Sequence, residues 1–406
     1  MLSSSKLVVI YFTCVDLGPD TNGGALCCRN HVIRLAADPA IKLHVVVTGS
    51  PQQEIGNRLF VEALGAPFDY IPFRDYGNID NDASYDAQRR HLFPWERKSR
   101  IQRHVSSRLA EIVASVTPDA IVIDYVPSVL FARPLLEGNI PCLVITLNNE
   151  DQSFRNLRAR VADTEWAGTD QAQVRLQIFE MWVYCQAASV AVFRDSDIQP
   201  YAVDRRKYHV VSPVFPKPEP RWSYDGNRTI FFVGNHGHYP NRMAIDWLCR
   251  EIAPRIALAD PTIQIRIIGT TVAEETAYAA LANVEFLGYA DRNIVIHEFT
   301  HCGLFIAPIF INYGCEIKLQ ECLSYATPFV TTQVALDGLP LLPFIPVIDQ
   351  DHPDMAVTII QSLLDSSQQL VDLSSKIETC METERLAQKS IWGGIIGKMI
   401  AEWRES

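Results

Sequence analysis

The sequence contains no apolar run of 18 or more residues, which excludes a conventional membrane-spanning helix. It contains no CxxC pair; its 10 cysteines are scattered, with only Cys27 and Cys28 adjacent, and several lie inside apolar runs. That scatter fits buried thiols in a reducing compartment better than a disulfide framework or a zinc site. Basic charge is in deficit. The 36 Lys and Arg face 47 Asp and Glu, and the net −11 argues against a general nucleic-acid binder, whose footprint is basic. GxxxxGK[ST], GxGxxG, HExxH and GxSxG are all missing. A P-loop, the standard dinucleotide fingerprint, a zincin helix and a nucleophile elbow are therefore not indicated. There is no internal repeat and no low-complexity tract.

What is present is a globular composition, 48% hydrophobic and 20% charged, over 406 residues. That length suits two domains of about 200 residues each. The opening MLSSSKLVVIYFTCVD has no small-residue cleavage signature and reads as a first core strand. A cytoplasmic location is expected.

Short β-branched runs recur along the chain. In the first half they are Leu7–Phe12, Leu43–Thr48, Ala120–Ile123, Leu143–Thr146, Val190–Phe193 and Val210–Val211. In the second they are Thr229–Val233, Ile263–Ile268, Val284–Leu287, Gly303–Ala307 and Phe329–Thr332. Continuous apolar runs separated by helix-length segments predict parallel sheets covered on both faces. The series breaks at Ser212–Pro220, which has four prolines in nine residues and reads as a stiff connector. The predicted organisation is α/β throughout. Residues 1–212 form one Rossmann-like domain, 213–228 a linker and 229–389 a second Rossmann-like domain. A helix at 390–406, with Trp392 and Trp403, packs back on the first. Strand ends of both domains are expected to face a central cleft.

The segment richest in chemistry is Gly303–Pro340, GLFIAPIFINYGCEIKLQECLSYATPFVTTQVALDGLP. It reads as a buried strand, a loop with Tyr313 and Gly314, a helix, and a further strand opened by Pro328. Gly314 before the helix permits close backbone approach, and free N–H groups at a helix start attract an anion. Lys318 adds a point charge suited to phosphate, and Glu321 follows three residues on along the same face. A carboxylate one turn past a phosphate site can accept two ribose hydroxyls. Read this way, the segment is a nucleotide-diphosphate pocket; the alternative is a solvated Lys–Glu pair on an amphipathic helix.

This segment resembles the donor-site signature of retaining glycosyltransferases of group 1, the family-four kind with the GT-B fold. Members commonly read "G…RLKxLEALAxGxPVVxT…GxEGL", and EIKLQECLSYATPFVTTQVALDGL follows that pattern closely. The resemblance implies that Lys318 binds the diphosphate and Glu321 the ribose. Upstream, FFVGNHGHYPNRMAIDWLCREIAP (Phe231–Pro254) is similar to "FVG…PPNxxAxxWFxxEIxP", and NVEFLGY (Asn283–Tyr289) to the strand and loop near the donor base. Gly234, Asn235, His236, Gly288 and Tyr289 thereby join Tyr313 and Gly314 as donor-binding candidates.

The first half is similar more loosely. TNGGA (Thr21–Ala25) stands where the family has a Gly-Gly loop, which adds Gly23 and Gly24 to the donor side. LNNEDQSFR (Leu147–Arg155) stands where relatives read "HNxE", making Asn148 and Glu150 catalytic candidates. The sequence also departs from the family. Where many relatives carry the first of two Glu separated by seven residues, this chain has Tyr313, with Glu316 the nearest carboxylate and the remaining catalytic candidate. The "GR" Arg after the first donor-domain strand is Asn235 here.

Three further features have two readings each. His236 and His238 are donors to phosphate or sugar, or plain loop histidines; no further ligands stand at metal spacing, so no metal is expected. Glu150 and Asp151 orient an acceptor, or form the acidic first turn of a helix. Arg89–Arg108 carries seven Lys and Arg against one Glu, with Phe93 and Trp95 between them. It is a dock for an anionic membrane surface near a lipid-linked acceptor, or a solvated basic helix.

Together these imply an enzyme that moves a sugar from a UDP- or GDP-linked donor to an acceptor hydroxyl. Retention of configuration, no cofactor and no metal are expected. The acceptor is a glycan, a lipid-linked sugar or a small molecule, and nucleic acid is not a partner. The competing readings are a catalytically weakened nucleotide-sugar-binding subunit and a sugar-nucleotide epimerase on the same fold.

Overall fold

The computed structural model describes residues 6–18, 23–72, 99–147, 155, 170–198, 204–311 and 314–405. The chain divides into two compact units, Met1–Pro213 with Gln388–Ser406, and Val214–Ala387.

The first unit is built on seven strands: β1 (Leu7–Thr13), β2 (Ile41–Gly49), β3 (Phe68–Pro72), β4 (Ala120–Asp124), β5 (Cys142–Ile145), β6 (Ser189–Val192) and β7 (Tyr208–Val210). They lie in the order β3-β2-β1-β4-β5-β6-β7, every pair parallel. Helices α1 (Gly23–Ala37), α2 (Glu54–Ala63), α3 (Ser99–Val116), α4 (Val129–Leu136) and α5 (Asp170–Gln186) connect or cover them. The central strands β1, β4 and β5 are apolar on both faces because helices shield both sides. Strand β3 was not foreseen. It is an edge strand whose residues are mostly half-buried, so it never produces a continuous apolar run.

The second unit has five parallel strands: β8 (Thr229–Val233), β9 (Gln264–Ile268), β10 (Val284–Phe286), β11 (Leu304–Ala307) and β12 (Phe329–Thr331), in the order β10-β9-β8-β11-β12. Helices α6 (Tyr239–Trp247), α7 (Ala253–Ala259), α8 (Val272–Glu275), α9 (Arg292–His301), α10 (Ile317–Tyr325), α11 (Pro353–Leu364) and α12 (Ser367–Ala387) surround it. Its core is partly aromatic. Phe231 meets Phe299 edge-on at 5.2 Å between ring centroids, and Phe299 stacks on Tyr325.

The proline-rich stretch behaves differently from a free connector. Val214 and Trp222 are buried in the core of the second unit. The Trp222 indole donates to the Cys302 carbonyl at 2.8 Å, its backbone N–H to Tyr325 at 3.1 Å, and Arg221 to the Ser324 carbonyl at 2.9 Å. Prolines that cannot join a ladder still leave neighbouring aromatic surface to bury, and that burial ties the segment down. The last helix, α13 (Ile391–Glu405), belongs to the first unit. Trp392 packs edge-on against the His31 ring of α1, and the Gly393 N–H donates to Asp38 at 2.8 Å.

Candidate functional site

In each sheet the strand order reverses once, between β1 and β4 in the first unit and between β8 and β11 in the second. Loops leaving the carboxyl ends of such strands diverge there and open a crevice. In the second unit those loops are Gly234–His238 after β8 and the segment leading into α10 after β11.

The β8 loop is held by close backbone approach. Gly269, at the end of β9, has φ +108°, and a Cβ there would lie 2.3 Å from the Gly234 carbonyl oxygen. Only glycine fits that conformation and that distance. The result is a ladder of loop hydrogen bonds: Gly234 N–H to Ile268, His236 N–H to Gly269, and Gly269 N–H to Gly288. Gly234, Asn235, His236 and Gly288 are thereby brought together. Asn235 Oδ1 accepts from the Tyr289 hydroxyl at 3.0 Å and from the Gly237 N–H at 2.8 Å. The residue that replaces the family's Arg thus stitches the β8 loop to the β10 loop. His236 Nδ1 lies 2.8 Å from Glu274 Oε1, on α8. His238 precedes α6, where burial first and the Lys318 charge second lower its pKa, against an opposing pull from Glu316.

Helix α10 supplies the other wall. Glu316 is its N-cap residue, with no side-chain cap bond. Its carboxylate instead lies 2.8 Å from the Lys318 ammonium, which also donates to Asn241 Oδ1 at 2.8 Å. Asn241 Nδ2 in turn donates to the Asn235 carbonyl, so Lys318 is tied to the β8 loop through one side chain. Both Glu316 and Lys318 are 12% exposed, reachable but not solvated. Gly314 and Cys315 lead into this helix. Glu321 sits one turn on from Lys318, 6% exposed, in an ion pair with Arg292. Burial pushes its carboxyl above the ordinary range, while Arg292 and then Lys318 pull it back. The site therefore pairs a cation at a helix start with a buried carboxylate deeper along the same helix. A cation at a helix start can meet a phosphate, and a carboxylate can accept from a diol.

Sequence reading missed Asn241, Glu274 and Arg292. Asn241 was within a quoted motif, PNRMA, yet nothing in one sequence says that its amide reaches Lys318. Of the remaining candidates, Gly23 and Gly24 open α1. Tyr313, Asn148 and Glu150 lie outside the described residues, as do residues 89–98 of the basic stretch. Residues 99–108 form the first part of α3.

The first unit holds a polar cluster that the sequence did not announce. Beneath the β1–β4 switch, Asp124 Oδ2 accepts from the Tyr11 hydroxyl at 2.5 Å and lies 2.7 Å from His31 Nδ1, and all three side chains are buried. Tyr125, the next residue, has φ 72° and ψ 123°, a conformation that costs a non-glycine residue energy.

Residues 227–364 match the family model described as Glycosyl transferases group 1. The resemblance read from the sequence is therefore supported in the second unit, and the matched stretch contains every site residue described there. No curated protein sequence matches the chain. Among solved structures, a mutant TarM of S. aureus aligns over 98% of this chain and 100% of its own, at 10% identity and a TM-score of 0.67. Another TarM structure aligns over 73% of this chain and 58% of its own, at 11% identity and a TM-score of 0.56. Sucrose-phosphate synthase from Thermosynechococcus elongatus covers 97% of this chain and 99% of its own, at 13% identity and a TM-score of 0.67. HepE from Anabaena covers 98% of each chain at 13% identity, with a TM-score of 0.59. At such identities the likeness concerns the fold, and the fold is GT-B.

Among the described residues, no group of three or more His, Cys, Asp or Glu is placed to hold a metal ion. Among the same residues, no helix is long and apolar enough to cross a membrane.

Proposed function

We propose that this chain transfers a sugar from a nucleotide-sugar to an acceptor hydroxyl, with the donor held in the second unit. One observation carries the reading. At the β8–β11 switch, within the stretch that matches group 1, Lys318 at the start of α10 is tied through Asn241 to a glycine-built loop, and the buried Glu321 lies one turn further along the helix. Lys318 and the free N–H groups of the helix start meet the diphosphate, and Glu321 accepts the ribose hydroxyls. Gly288 and Tyr289 flank the base. UDP is a ligand in the HepE and TarM structures of the same fold, which supports a nucleotide-sugar as the donor class.

Reaction breaks the bond between the anomeric carbon and the β-phosphate oxygen. Negative charge builds on the leaving diphosphate and positive charge on an oxocarbenium-like sugar. Lys318 and the α10 dipole stabilise the first charge, the part that a metal plays in other transferases. Glu316, beside Lys318, is the carboxylate assigned here to the second. Retention of configuration, a glycan or lipid-linked acceptor and a place in polysaccharide assembly follow from the family resemblance. The first unit then takes the acceptor, with Asn148 and Glu150 as its candidates.

The test is thermal melting with UDP, GDP, ADP, dTDP and CMP, for wild type and for the Lys318→Ala/Glu321→Ala double variant. A ligand at about 100 times its dissociation constant adds roughly 2.7 kcal/mol to the species that binds it. One diphosphate should stabilise wild type and leave the double variant unmoved. Turnover of the matching donor then separates transfer from binding alone. No shift with any nucleotide overturns the reading in favour of a non-binding relative.

A further inference from the structure

The ion pair between Arg292 and Glu321 is not part of the motif that brought Glu321 to attention. Arg292 is the first residue of α9, immediately beyond the Gly288–Tyr289 loop, and its side chain is about one-third exposed. Glu321 lies on α10, and its side chain is only 8% exposed. Tyr325, one turn beyond Glu321 on the same helix, also acts on the Arg292 charge. A planar guanidinium paired with a buried carboxylate restricts how that carboxylate can turn. The closest contact is to Oε1, a buried oxygen with no other partner among the described residues.

We propose that Arg292 is a positioning residue for donor recognition: by pairing with the buried Glu321 it holds that carboxylate in the charged form and the orientation that accept from the ribose diol. This inference rests on the donor-site reading given above. Its physical basis is the environment of Glu321. A carboxylate taken out of water protonates unless a cation compensates it, and a neutral carboxyl is a weaker hydrogen-bond acceptor for the diol than a carboxylate. The titratable groups that act on Glu321 are Arg292 from α9, and Lys318, Cys322 and Tyr325 from its own helix. Of these, Lys318 is already committed to Glu316 and Asn241. Arg292 is thus the cation that Glu321 depends on.

The experiment compares binding of UDP and of 2′,3′-dideoxy-UDP, or the same pair built on whichever base the melting screen selects, from pH 5.5 to 8.5. Titration calorimetry is applied to wild type, Glu321→Gln, Arg292→Gln and Arg292→Lys. Hydrogen bonds to a charged group discriminate by roughly ten- to hundredfold, so wild type should prefer the ribose form by about that ratio across the range. Glu321→Gln should lose the preference at every pH. Arg292→Gln should lose it at low pH and recover it as pH rises and the carboxyl ionises, with the diphosphate contribution left intact. Arg292→Lys should restore a pH-independent preference. A purely structural role for Arg292 would weaken both nucleotides equally and leave their ratio unchanged.

If Arg292→Gln keeps the wild-type ratio at low pH, the inference falls while the donor-site reading stands. If wild type binds no nucleoside diphosphate, both fall together. Should Arg292→Gln not fold, Arg292→Met carries the same expectations, and a wild-type ratio in it at low pH overturns the proposal equally.

Discussion

Gly269→Ala tests whether the β8 loop is held as described, because it adds one methyl group where two separate penalties can be worked out. The first is conformational. A φ of +108° lies beyond the left-handed region that an L-residue tolerates, and holding alanine there costs on the order of 1–3 kcal/mol. The second is steric. The new Cβ would stand 2.3 Å from the Gly234 oxygen, 2.6 Å from its carbonyl carbon and 3.0 Å from the Asn235 nitrogen, where ordinary contact begins at 3.4 Å. All three are backbone atoms, so no side chain can swing away. Relief needs roughly 1 Å of backbone movement. That movement strains the hydrogen bonds from Gly234 to Ile268, from His236 to Gly269 and from Gly269 to Gly288. Losing one or two of them adds about 1–3 kcal/mol. The total is about 2–6 kcal/mol, concentrated in the second unit.

Two controls separate the terms. Gly226 has φ +91° with nothing within 4 Å of its Cβ position, so Gly226→Ala carries the dihedral cost alone. Gly394 lies within α13 with open space around its Cβ position, so Gly394→Ala should stabilise, by about 0.5–1 kcal/mol. In units of this size 1 kcal/mol moves a melting temperature by roughly 2–4 °C. Calorimetric melting should therefore rank the variants Gly394→Ala, wild type, Gly226→Ala, Gly269→Ala from most to least stable. Gly269→Ala should also lose nucleotide binding, since Asn235 and Asn241 move with the loop. If Gly269→Ala melts within about 1 °C of Gly226→Ala, the close approach is not what holds the loop, and the argument from Gly234 fails.

Asp124→Ala should destabilise the first unit by about 3–5 kcal/mol, because it strands His31 and Tyr11 in the core without their shared acceptor. His31→Leu/Asp124→Leu should cost less than the two single changes summed, as urea unfolding will show, since removing both leaves only Tyr11 without its Asp124 partner. The pH response of His238 has a definite sign. Burial lowers its pKa below the ordinary 6.5, so the unfolded chain takes up the proton first. Its contribution to stability is complete above about pH 6.5 and is lost as pH falls toward the folded pKa. Subtracting the stability–pH curve of His238→Gln from that of wild type should reveal this slope; a flat difference would refute it.

The buried strands were legible because burial on both faces leaves a run of apolar residues that no other element explains. Leu7–Phe12 and Thr229–Val233 were read to within a residue of β1 and β8. Strand β3 was not, since an edge strand mixes Phe68, Asp69 and Tyr70 and looks like a loop. Lys318 and Glu321 were legible because three residues of helix put them on one face. Arg292, 29 positions before Glu321 in the chain, was not, and neither was Asn241 at 77 positions from Lys318. The proline-rich stretch was read from its backbone chemistry alone, which left out Trp222 and the surface it buries.

The sequence by itself determined what is local or repeated: the α/β class, the glycine-bearing loops, the helix that carries Lys318 and Glu321, and the resemblance to group 1. Propensity, periodicity and short motifs act over a few residues, and a single chain displays them directly. Which side chains neutralise which others was decided only by the tertiary structure. The pairing of Arg292 with Glu321, the tie from Lys318 through Asn241 to the β8 loop, and the meeting of Tyr11, His31 and Asp124 each join elements far apart in sequence. Such contacts depend on the order in which strands enter the sheet, and no local signal encodes that order.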